Sequence, residues 1–129
     1  MAILVAVLNL SSMSDITDGI ENMLLVESLE DIIENEALPF VNKSLALLTI
    51  SNLFTMSKKV DISRKTLDFA FWVLSSWSDI KENNQVVMNL VYSSLTICYN
   101  ITLRQKSPDT ARRVINCLGL TIMDHFKDP

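Results

Sequence analysis

Residues 47–56 read LLTISNLFTM, and variants of the same phrase stand at 5–13 (VAVLNLSSM) and 95–104 (LTICYNITLR). Each copy sets one asparagine in an apolar frame: Asn9, Asn52 and Asn100, spaced 43 and 48 residues apart. Leu4, Leu47 and Leu95 stand five positions before the amide, and Leu10, Leu53 and Ile101 follow one position after it. A frame that returns at a near-constant interval points to one structural unit used three times.

Outward from these copies, the hydrophobic pattern divides into six helices in alternating pairs. The first runs from Ala2 to Ser12. The second, Ile20 to Asn35, places Met23, Leu24, Val26, Leu29, Ile32 and Ile33 on a 3.6-residue period with acids opposite. Pro39 suits the first turn of the third helix, which runs to Met56. Asp61 or Ser63 can cap the fourth, Ile62 to Trp77. The fifth, Asn84 to Leu103, is the longest, and Ser107-Pro108-Asp109 opens a sixth that reaches Lys127. An interval in the forties matches armadillo and HEAT repeats, roughly 40–47 residues each. The expectation is therefore an all-α, armadillo/HEAT-like right-handed helical repeat array of about six helices. It holds two and a half to three repeats and forms one domain over residues 1–129. Apolar residues begin at once after Met1, with no polar capping helix. The chain is thus expected to be a piece of a longer array, or to form a homo-oligomer through its bare N-terminal apolar helix.

Bulk composition agrees with packed helices. Of 129 residues, 49% are apolar and 20% charged, which argues against disorder. Two glycines and three prolines are too few for a protein of many tight turns. The longest apolar run, near the N-terminus, falls short of the ~20 residues of a membrane span and lacks the basic start of a secretory signal. Cys98 and Cys117 fit a reducing compartment. A cytosolic or nuclear location is expected, with no membrane partner.

Equipment for chemistry is sparse. His125 is the single histidine and has only Asp124 beside it. Cys98 and Cys117 fall on separate helices without metal spacing. Gly19 and Gly119 stand alone, so there is no phosphate loop. Glu27, Glu30, Asp31 and Glu34 read as a solvated helix face. Trp72 and Trp77, with Phe69 and Phe71, read as packing residues. No enzyme activity, metal or cofactor is expected. The net charge of −4 and the lack of a basic-aromatic platform argue against nucleic acid.

Two features point to protein binding instead. Residues 1–42 carry eight acids and no base, while all eleven Lys and Arg lie from Lys43 onward. The asparagine-bearing helices also carry polar stripes. Gln85, Asn89, Ser93, Thr96, Asn100 and Arg104 share one side of the fifth helix; Thr49, Asn52, Thr55 and Lys59 do so on the third. Such a stripe either lines a solvent-filled groove or hydrogen-bonds within the array and fixes packing. In the groove reading, asparagine amides pair with the backbone of an extended peptide and the cations with its carboxylates. The candidate set is Lys43, Asn52, Lys59, Asn89, Thr96, Asn100, Arg104, Arg112 and Arg113.

A family resemblance rests on these same stretches. SLALLTISNLF (44–54), KTLDFAFWVLSSW (65–77), NNQVVMNLVYSSLTICYN (83–100) and ARRVINCLGLTIMD (111–124) resemble consecutive helices of a PUL domain. That is the armadillo-like module of the phospholipase A-activating protein type of ubiquitin adaptor. The resemblance covers about residues 40–126, roughly half of a full six-repeat module. It implies binding of the acidic C-terminal tail of the ubiquitin-segregating AAA ATPase through a basic groove. Lys43, Lys59, Arg104, Arg112 and Arg113 are the candidates, on the strength of stripe and charge. The rival expectation is a compact helical adaptor or inhibitor domain that acts by oligomerisation or through a hydrophobic surface. A buried stripe and an exposed Trp72/Trp77 region would favour it.

Overall fold

The computed structural model describes residues 3–5, 20–58, 60–104 and 107–127. Every regular element among them is helical. A helical stretch at residues 3–5 (α1) is followed by α2 (Ile20–Glu34), α3 (Phe40–Met56), α4 (Arg64–Ser76), α5 (Asn84–Arg104) and α6 (Pro108–Lys127). A single 3₁₀ turn, Trp77–Asp79, extends α4. These bounds lie within two residues of the sequence expectation for α2 to α6. Asn9 and most of the expected first helix lie outside the described residues, as does Lys59.

Local chemistry sets the helix starts. Ser63 adopts extended backbone and its hydroxyl accepts the Thr66 amide at 3.2 Å, which caps α4. Ser107 stands before Pro108, and the Ala111 amide reaches the Ser107 carbonyl at 3.0 Å to begin α6. Pro39 lies one position earlier than expected: it is the extended residue just before α3 (φ −69°, ψ 159°), with no side chain to cap the turn.

Helices two apart in the chain lie side by side. α3 packs most extensively on α5, α4 packs on α6, and α2 touches α4. Contacts of α2 with α3, α4 with α5 and α5 with α6 join these rows. The main core lies where α3 meets α2 and α5, around Val26, Leu29, Leu47, Ile50, Phe54, Leu90 and Ile97. A second cluster joins α4, α5 and α6 through Phe71, Leu74, Cys98, Val114 and Cys117. Each fully buried Leu, Ile or Phe contributes about 1.5–3 kcal/mol. Phe71 is core as expected; Trp72 is partly exposed and stacks on Phe40 and Phe69, with ring centroids 6.1 and 5.7 Å away.

Glu30 corrects the picture of a solvated acidic face. Glu27, Asp31 and Glu34 are exposed, but Glu30 is only 8% exposed. Its carboxylate accepts the Ser63 amide at 2.8 Å and a short hydrogen bond from the Thr66 hydroxyl. A negative charge at the positive end of α4, with donors turned to it, replaces the water it loses. Glu30 thereby ties α2 to the start of α4.

Candidate functional site

The polar stripes divide into internal and external parts. On α3, Thr49 is fully buried and donates to the Leu45 carbonyl at 2.8 Å. Ser44 and Ser51 are buried too, and donate to Val41 and Leu48 carbonyls at 2.8 and 2.7 Å. A hydroxyl that bonds its own helix can enter an apolar interface without an unmet group. Asn52 is half-buried. Thr55 is exposed and marks where α3 meets the surface.

On α5, Asn100 is only 9% exposed. Its amide donates to Thr55 Oγ1 at 2.8 Å and to the Thr96 carbonyl at 2.9 Å, so it bridges α5 to α3. Arg104 closes the end of α3. Nη1 donates to the Val60 carbonyl at 2.7 Å, and Nη2 to the carbonyls of Ser57 (2.8 Å) and Phe54. The guanidinium carbon lies 3.8 Å from the Phe54 ring centroid. Burial pulls the Arg104 pKa below its ordinary value, with nearby Asp61 opposing the change. Both residues meet the α3–α5 seam, as the packing reading of the stripe requires. Ser93 is fully buried.

Of the remaining candidates Thr96 borders that seam, since its carbonyl accepts the Asn100 amide. Asn89 accepts the Gln85 amide at 2.9 Å, and Thr96 donates to the Tyr92 carbonyl. Lys43 stands at the start of α3, 6.0 Å from the Phe40 ring centroid. Arg112 pairs with Asp109 at 3.6 Å, both strongly exposed. Arg113 pairs with Asp68 at 2.8 Å and lies over Phe71, so it faces α4. Lys43, Arg112 and Arg113 thus each meet partners other than those of Asn100 and Arg104.

Sequence reasoning missed the outward face of α5. Met88, Tyr92, Tyr99 and Leu103 are 60%, 61%, 64% and 63% exposed and recur on one side of the helix. Between Glu82 and Arg104 there is no charged residue. Thr55, Tyr92, Leu95, Thr96, Tyr99 and Asn100 line a shallow hollow of about 350 Å³ on this face. α5 is long and apolar enough to cross a membrane by length and composition, yet only 44% of its apolar window is buried. Core packing alone does not account for its apolarity. The signal was legible in the sequence as a charge-free run with apolar or aromatic residues at 88, 92, 99 and 103.

A second hollow, about 470 Å³, opens where α4 and α6 begin. Arg64, Arg113, Asp61 and Asp109 line it above Leu67, Phe71 and Ile101. Two acids stand against two bases there, so it is not a strongly basic site. Among the described residues no three His, Cys, Asp or Glu gather as a metal site. Burial pushes the Cys98 thiol up to about 12, the neighbouring Cys117 adds to the rise and Arg113 opposes it. A thiol so held stays protonated and is a poor nucleophile.

No family model, curated protein or solved structure matches this chain.

Proposed function

We propose that the chain is a non-enzymatic helical adaptor that acts through a hydrophobic surface, as the buried stripe and the exposed Trp72 favour, and holds a short segment of a partner protein against the outward face of α5. The observation that carries this reading is the exposed Met88–Tyr92–Tyr99–Leu103 face on a helix with no charge before its last residue, Arg104. A solvated helix face ordinarily carries charges; large exposed aromatic side chains with free phenols are the residue type that anchors interfaces. The hollow beside Thr55 and Thr96 offers hydroxyl oxygens only as acceptors for a bound backbone, since both protons go to carbonyls of their own helices. Peptides selected from a display library against the wild-type chain should lose at least about tenfold in affinity for Tyr92→Ala or Tyr99→Ala. Selected peptides that bind both variants unchanged would refute the face.

A second reading keeps the acidic segment, in the form of a C-terminal tail of the AAA ATPase type. Its support is Arg64 and Arg113 at the α4–α6 hollow, where Asp61 and Asp109 stand beside them, with Arg112 exposed on the same helix as Arg113. In that case an acidic tail peptide binds with a steep salt dependence and loses affinity to Arg113→Glu. Indifference to both salt and charge reversal removes it.

A further inference from the structure

We infer that the outward face of α5 also pairs with a second copy of this chain, as two antiparallel α5 helices about a two-fold axis between Leu95 and Thr96. The inference rests on the same docking face proposed above and names one occupant for it.

Self-complementarity is written into the stripe. An antiparallel pairing centred between residues 95 and 96 sets Met88 against Leu103 of the second copy and Tyr92 against its Tyr99. Leu95 and Thr96, both half-buried, meet their counterparts at the axis. Asn89 falls opposite Thr102, so polar uncharged meets polar uncharged. A two-fold interface needs this property: each patch must be its own complement. The order apolar, aromatic, aromatic, apolar reads the same from either end, with Leu95 set against Thr96 at the centre. From Met88 to Leu103 the stripe runs about 22 Å along the helix.

Charge and area favour the same occupant. The α5 face has no charge between Glu82 and Arg104, so two copies meet there without setting like charges against each other or desolvating an ion. Four large side chains at this exposure offer on the order of 500 Å². Thr55, Asn89 and Thr96 beside them bring the face towards the roughly 800 Å² that one partner of a standard interface buries. That area makes a dimer that forms and dissolves with concentration, which leaves the face open to a partner segment.

Sedimentation velocity of the whole chain over a concentration series tests the pairing, together with diamide cross-linking of single-cysteine additions. Wild type should move from 14.6 kDa towards twice that mass as concentration rises. Tyr92→Glu with Tyr99→Glu should remain monomeric with an unchanged far-ultraviolet circular dichroism spectrum. Thr96→Cys, beside the axis, should form a covalent dimer, whereas Gln85→Cys should not, because antiparallel pairing holds the two copies of that residue about 31 Å apart. A wild-type monomer up to about 1 mM, the weak end of specific association, overturns the inference. So does a dimer that survives the double glutamate variant, or cross-linking at Gln85→Cys as efficient as at Thr96→Cys. If the double variant fails to fold, the cross-linking pair decides alone. A monomer whose selected peptides still depend on Tyr92 and Tyr99 defeats the dimer and leaves the proposed function standing; a dimer for which no peptide is selected does the reverse.

Discussion

The guanidinium of Arg104 meets the carbonyls of Phe54, Ser57 and Val60, which span the last turn of α3 and the link after it, and lies over the Phe54 ring. Carbonyls at a helix end are short of partners, so a planar, multiply donating group from α5 completes this one. Arg104→Ala should lower unfolding free energy by about 2–4 kcal/mol in urea titration. Arg104→Lys should recover little of it, since an ammonium neither forks nor stacks in the same way. A loss below about 0.5 kcal/mol would show the contacts to be incidental. Glu30→Ala should cost about 2 kcal/mol by the same measurement, because it strips the start of α4 of its carboxylate. Cys98 gives a pH dependence. Its thiol ionises at about 12 in the fold against an ordinary 9.0, so the folded chain holds the proton longer than the unfolded one. The resulting stabilisation is complete below pH 9 and is lost as pH climbs from about 9 towards 12, by at most about 1.4 kcal/mol per pH unit. Cys98→Ala should flatten that alkaline slope in a series of urea titrations, and an unchanged slope would exclude the thiol as its source. None of these three roles was visible in the sequence. A cation, an acid and a thiol were each legible as residue types, but their use depends on partners 19 to 50 positions away.

The helices themselves were legible almost to their ends. Ser63 and Ser107-Pro108 announce the starts of α4 and α6 through capping chemistry that needs no tertiary information. What the spacing of polar residues left open was the direction in which a polar line points. In stacked helices a stripe of Ser, Thr and Asn can face a groove or a neighbouring helix with equal periodicity. Here Asn100 enters the α3–α5 seam, while Thr49 and Ser51 are buried and bond their own helix. Ser93 and Ser94 are buried too, with hydroxyl oxygens that have no partner among the described residues. Ser93→Ala should therefore raise stability by up to about 1 kcal/mol, measured by the shift of the urea midpoint. A loss of similar size would show that the hydroxyl meets a group or water of its own.

At the scale of the molecule, the acidic N-terminal third contributes α2, whose Glu27, Asp31 and Glu34 are exposed, while Lys65 of α4 reaches Glu34 at 3.6 Å. The lopsided charge was plain in the sequence; that part of it closes on itself between α2 and α4 required the packing. Surface pairs of this kind contribute about 0–1 kcal/mol each, so they shape the field around the chain more than its stability. The Trp72 stack has a separate consequence. The chain's two tryptophans, Trp72 and Trp77, both belong to α4 and its 3₁₀ extension, and Trp72 is sandwiched with Phe40 at the start of α3. Intrinsic indole emission is thus an optical gauge of the contact between Phe40 and α4. Loss of the fold should shift the indole band to the red.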